Sequence, residues 1–432
     1  MLRGRRTPRD GVDVKSRTRV GIACLAAIVG PLATAAPALA TAPTWSTAVA
    51  IGKSNGGSPT LAMNSAGTAI AEWGRTTATV GSIYASVAAA GQPWAKGSAV
   101  GGTSAYDSSR PSVALDESGA ALGMFSAYQI DSLSNAYISG FRFANGTSGG
   151  YQIVASPVAG LGSIVHFAGT STTTINDAVA LTPTAKPCNL WVSVNPSDNY
   201  WTVESNLSTE CITRDDFALD RGGFGVVAFV TASGKVEVAT RAPDGTWSTP
   251  TVLTTASNVA KVAVAVDAAG DASVVYSTGK AKPFTVSAAT RPAAGVWSAP
   301  TVLSAGACNG DVATTTTATG TMLAAWSQSQ ARHCEVAADF GNASAGFAGV
   351  VTITAGARAT AVAATVTAGG QFVLAWNNAA TASVEAATGT TAGFDPPAVV
   401  GPGGRPLLAA GGGSVSAVWC QTTCYGSHLS LS

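Results

Sequence analysis

The sequence predicts an all-β protein, a β-propeller of eight four-stranded blades, on three observations. A glycine-centred turn recurs at a fixed distance before an aromatic residue, the aromatics recur at blade-length intervals, and the N-terminal segment supplies a strand that the last copy lacks. The clearest copies are VAVDAAGDASVVY from Val264 to Tyr276, VALDESGAALGMF from Val113 to Phe125 and FALDRGGFGVVAF from Phe217 to Phe229. Each is a short apolar run, then D-x-x-G, then a run that reaches an aromatic six residues after the glycine. Leu61 to Trp73 fits the pattern with Asn64 in place of aspartate.

With that spacing as a ruler, Gly320 leads to Trp326, Gly370 to Trp376 and Gly413 to Trp419, and Ala185 replaces the glycine that would lead to Trp191. The aromatics at 73, 125, 191, 229, 276, 326, 376 and 419 stand 52, 66, 38, 47, 50, 50 and 43 residues apart. Repeat architectures built in this way exceed the usual domain size, so a long chain needs no second domain. Seven blades are the alternative if the third copy is an insertion between its neighbours, and an extended β-sandwich is the alternative architecture.

Within a repeat, D-x-x-G is a hairpin turn: the Asp or Asn side chain accepts backbone N–H groups, and the glycine takes the left-handed conformation. Two strands therefore meet there. A third strand follows the aromatic, as in KVEVATR from Lys235 to Arg241, and a second turn with a fourth strand follows, as in Pro243 to Leu253 and Gly295 to Leu303. The eighth copy ends soon after its third strand, whereas Thr44 to Ile51 reads as a fourth strand with no blade before it. The count across that join, 46 residues from Trp419 round to Trp73 when the chain starts at Thr41, is one blade. Strand 44–51 is therefore expected to join the C-terminal blade, which would cover an open sheet edge.

Residues 1–40 read as a signal peptide, with a basic stretch that includes Arg3, Arg5, Arg6 and Arg9, an apolar run from Val20 to Ala35 and the small residues of Ala38-Leu39-Ala40. Residues 41–432 are then a single propeller domain, secreted and extracellular or associated with the cell surface. Charged residues make up 11% of the chain and the net charge is +1, so no electrostatic field selects nucleic acid, and no later run is long enough to insert in a membrane. The expected product is a monomer without a cofactor.

Six cysteines besides Cys24 suit an exported chain, and they pair locally as Cys188 with Cys211, Cys308 with Cys334 and Cys420 with Cys424. Three histidines, His166, His333 and His428, give no metal-ligand spacing. Asn64, Asp116, Asp220 and Asp267 occupy the same turn of successive repeats, which points to capping rather than catalysis. The repeated tryptophans suit packing between blades, and Trp45, Trp94 and Trp201 are expected to be partly exposed. No nucleophile motif is present.

Length variation is concentrated after the second strand, at Ser126 to Asn135, and in the connection from about Ala155 to Asn176. Loops of this kind carry binding residues. The ligand-binding candidates are Tyr128, Gln129, Asp131 and His166, joined by Arg75, Gln328, Arg332 and Asn377 from other loops of the same type.

The turn Asp244-Gly-Thr-Trp247 resembles a shortened Asp-box, the turn motif of sialidase-type and related secreted bacterial propellers. It lacks the serine and the spacer before glycine, and no F/Y-R-I-P segment stands near the start. The resemblance implies the architecture. The function expected is a secreted binding protein whose loops on one face take an extracellular glycan or protein. The alternatives are a carbohydrate-active enzyme, a glycoside hydrolase or lyase, and a structural envelope protein.

Overall fold

The computed structural model describes residues 43–55, 58–76, 81–101, 106–129, 132–144, 147–155, 165–168, 177–181, 190–195, 202–220, 222–330, 333–354 and 358–431. Every regular element among them is a strand, and the named strands pair antiparallel. The segment expected to be a signal peptide lies outside the described residues.

Repeat 4 shows how the sequence builds one sheet. Its strands Ile212–Leu219, Gly225–Thr231, Lys235–Arg241 and Thr251–Thr255 pair in chain order. The second strand, GVVAFVT, is buried at every position. It needs no polar alternation because neighbouring sheets cover both of its faces. The outer strand, TVLTT, is largely exposed.

The hairpin turn works through its acceptor. Asp267 Oδ1 accepts from the N–H groups of Ala269 and Asp271 at 2.9 Å, while Asn64, Asp116 and Asp220 each accept from the N–H four residues on. Repeats 6 and 7 use the hydroxyls of Thr317 and Thr367 for the same bond. The turn glycines from Gly67 to Gly370 have φ between +80° and +89°. Repeat 8 departs from this pattern: Gly411 pairs with Ser414 around a two-residue turn, and both Gly412 and Gly413 take positive φ.

Repeats 5 and 6 are not separate four-stranded sheets. The single strand Thr301–Thr316 is the last strand of repeat 5 and the first of repeat 6, so seven strands form one sheet. The connection between the two repeats has become a register shift between Ala307 and Val312, at which the Cys308–Cys334 disulfide sits. A second disulfide joins Cys420 to Cys424 across the hairpin of repeat 8. Cys211 is disulfide-bonded, and Cys188 lies outside the described residues.

At the N-terminus, Thr44–Trp45 and Val49–Lys53 pair with Thr423–Ser430 of repeat 8. The aromatics then lock sheet to sheet. Trp73, Trp326, Trp376 and Trp419 are fully buried, and Trp73 joins Ile51, Val418 and Cys424 in one apolar cluster between the first and last repeats. Trp94, expected to be partly exposed, is buried at 4% exposure because it lies over Gly426 of repeat 8. Trp45 is half-buried, and Trp201 is outside the described residues. First strands abut first strands from repeat to repeat, with the later strands of each sheet outside them, which is the arrangement of a β-propeller.

Candidate functional site

Where the first strands begin, they enclose a cavity of about 490 Å³. Its charged lining comes from four strands: Arg214 and Asp216 from Ile212–Leu219, Lys261 from Val259–Val266, Asp311 from Thr301–Thr316 and Arg405 from Arg405–Gly411. Buried Asp215 also reaches the lining. Val262, Val312 and Leu408 make its apolar wall.

A backbone irregularity accounts for this collection. The register of the first strand slips between Ile212 and Arg214, Val259 and Lys261, Ala307 and Val312, and Thr360 and Ala363. The same slip occurs between Ser109 and Ser112. A bulge opposes extra residues to the partner strand and re-aims the side chains there. In repeat 7 the slip holds Ala361 at φ 53°, unusual for a residue with a side chain.

Asp311 is the electrostatic centre. Its Oδ1 accepts from Arg405 at 2.9 Å and lies 4.0 Å from Lys261 Nζ, while Oδ2 accepts the N–H of Ala361 at 3.2 Å. Asn309 Oδ1 fixes the Asp311 backbone N–H. Asp216 Oδ2 accepts the N–H of Val264 at 2.8 Å. Arg214 instead donates to two carbonyls, of Ala260 and Thr213. Hydroxyl groups of a ligand can both donate to such carboxylates and accept from such cations.

Of the residues named from the sequence, Gln328, Asn377 and Arg75 have described side chains, and these fall elsewhere. Gln328 is held on both sides, accepting from Trp326 Nε1 and Ser304 Oγ and donating to the carbonyl of Gly306. Asn377 accepts from Gly404 N–H and donates to Thr360 Oγ1, tying repeat 7 to repeat 8. Arg75 stands over the ring of Tyr84 at 5.9 Å. None of these three lines the cavity. Tyr128 and Gln129 lie on the strand Ala121–Gln129 and His166 on Val165–Ala168, and Asp131 and Arg332 fall outside the described residues.

A signal for the cavity was present in the repeat itself. Counting nine residues back from the turn glycine gives Ser58, Arg214, Lys261, Asp311 and Ala361, all of which line the cavity. In repeat 8 the count gives Gly404, one residue before Arg405. Arg110 holds the same register position in repeat 2.

No family model matches the chain, and no curated protein matches it. Among solved structures, the fold is similar to that of the BP39L lectin from Burkholderia pseudomallei. That likeness has a TM-score of 0.56 and 15% identity, over 80% of this chain and 99% of that one. Identity at this level shows a shared fold. AofleA from Arthrobotrys oligospora is similar at a TM-score of 0.43 and 13% identity over 73% of this chain and 90% of that one. The Hadza microbial sialidase Hz136 gives 0.42 and 13% over 62% and 63%.

Proposed function

We propose that the protein is a secreted, monomeric binding protein for extracellular glycans. In this reading residues 1–40 are removed on export, and eight blades close into a ring when residues 44–53 join repeat 8. The glycan binds in the axial cavity. The observation that carries this reading is the collection of Arg214, Asp216, Lys261, Asp311 and Arg405 around one cavity in a chain with only 11% charged residues. A cavity of about 490 Å³ falls within the range of small-molecule sites. Mixed charges beside apolar walls suit a sugar, which presents hydroxyls on its edges and C–H groups on its faces. The fold shared with a lectin is consistent with this reading.

A glycan array on the secreted protein, followed by calorimetric titration of the hits, tests it. Arg214→Ala and Lys261→Ala are each expected to weaken a hit by about tenfold, the loss of roughly 1.4 kcal/mol. Full affinity in both variants would move the site away from the axis. Hydrolysis of a bound glycan would turn the reading to the carbohydrate-active enzyme.

A further inference from the structure

We infer that Asp311 sets the ligand class of the axial cavity, selecting neutral saccharides over those that carry a carboxylate. The inference rests on the glycan-binding reading above. It comes from the repeat position nine residues before the turn glycine, which holds a cation in repeats 4 and 5, Arg214 and Lys261, and a carboxylate in repeat 6. At this one register position the charge reverses between neighbouring repeats.

The reversed charge is placed to face two of the three cations that line the cavity among the described residues. Arg405 reaches it at 2.9 Å, although the two residues are 94 apart in the chain, and Lys261 approaches at 4.0 Å from the preceding repeat. Neither cation is buried: their side chains keep 66% and 41% of their exposure, whereas Asp311 keeps 18%. The anion is thus the fixed member, held by the Ala361 N–H through Oδ2 and by the bonded backbone at Asn309. The cations are the movable ones.

An exposed ion pair contributes little to folding, which leaves Arg405 and Lys261 free to re-partner. A ligand carboxylate must compete with Asp311 for them and must also approach its charge. A hydroxyl meets no such opposition, since it can accept from Arg405 and donate to Asp311 at once. The cavity therefore offers a neutral sugar two complementary partners and offers an acidic sugar an occupied pair. A carboxylate built into the site gives specificity through repulsion as much as through attraction.

The test uses oligomers that differ only at one carbon, galactose against galacturonate and glucose against glucuronate, with binding measured on the whole secreted protein. Wild type is expected to bind the neutral member of a pair at least about tenfold more tightly. Asp311→Asn keeps the shape and the Ala361 bond but removes the charge, and it is expected to lower that ratio by about tenfold or more. Arg405→Gln alters an exposed side chain, so it folds, and in the Asp311→Asn background it is expected to cancel the gain for acidic ligands. Equal ratios in wild type and Asp311→Asn, or a wild-type preference for acidic members, would overturn the assignment of Asp311. Failure of wild type to bind any saccharide would instead remove the glycan-binding reading itself.

Discussion

The imidazole of His428 lies flat against the indole of Trp94, with 5.3 Å between ring centroids and 6° between planes. The pair bridges repeat 8 and repeat 1 at the place where the N-terminal strand docks. His428 Nδ1 is 2.8 Å from Ser416 Oγ, its N–H donates to Ser46 Oγ at 3.0 Å, and Ser427 Oγ donates to the Ser46 carbonyl. One histidine thus touches all three segments of the seam.

Burial holds the imidazole below its usual proton affinity. The residues around it, from Ser46 and Val49 to Gln92, Pro93, Ser414 and Ser430, carry no charge. A folded value below the unfolded one means that the seam is fully stabilised above about pH 6.5 and loses stability as the pH falls below it. His428→Phe keeps a ring against Trp94 and cannot titrate. Its Tm is expected to fall less than that of wild type between pH 7.5 and pH 5, and equal falls would assign the acid sensitivity to other groups.

Glu72 is fully buried between repeats 1 and 2, beside the Ile70 and Ile83 cluster, and neither carboxylate oxygen has a hydrogen-bond partner among the described residues. Repeats 4 to 8 carry an alanine or a valine at this position, immediately before the aromatic. Desolvation raises its carboxyl well above the ordinary value of 4.5, so stability is complete below that pH and declines as the pH rises toward the folded value. Glu72→Leu is expected to stabilise the protein by roughly 1–3 kcal/mol at pH 7, the cost of an unpaired buried polar group. Urea unfolding at pH 4 and pH 7 checks it: the gain should shrink at pH 4.

The ring of Trp73 runs between Gly52 and Gly97, and its Nε1 donates to the Lys53 carbonyl at 2.9 Å. A Cβ on Gly97 would stand 2.3 Å from the ring, and one on Gly52 would stand 2.4 Å from it. Gly97→Ala is expected to cost about 1–3 kcal/mol by overpacking and to shift the tryptophan emission. Gly349→Ala, where a Cβ meets nothing within 4 Å, is the control and should leave the Tm unchanged.

Capping by Asp267 predicts a difference between two substitutions. Asp267→Ala leaves the N–H groups of Ala269 and Asp271 without their acceptor and should destabilise by about 1–2 kcal/mol. Asp267→Asn keeps an acceptor oxygen, as Asn64 does in repeat 1, and should come close to wild type in thermal unfolding. A loss of glycan binding without a loss of stability would instead give the carboxylate a functional role.

The strands and turns were legible because local periodicity produces them. The segment Lys235 to Arg241 is a strand with the predicted limits, the D-x-x-G turns bond as expected, and the pairs Cys308–Cys334 and Cys420–Cys424 form. The loops expected after the second strand were not legible: the described residues of 126–135 belong to strands Ala121–Gln129 and Ser132–Ala144, and Arg75, Gln328 and Asn377 lie on second strands that run on past the aromatic. Gln328 and Asn377 lie where the repeat puts them, yet each is turned into bonds with neighbouring backbone. The periodicity gave no warning that Glu72 would be buried, since burial there depends on the neighbouring sheet.

By itself, the sequence determined the repeat, its turns and the strand left over for the C-terminal sheet, because each depends on residues a few positions apart. The repeat marks one register position of the cavity lining, but the cavity itself depends on residues from Ser58 to Leu408, brought together by bulged first strands that pack side by side. The meetings of Asp311 with Arg405 and of Trp94 with His428 exist only in the packed molecule, since each pair joins different sheets where those sheets touch.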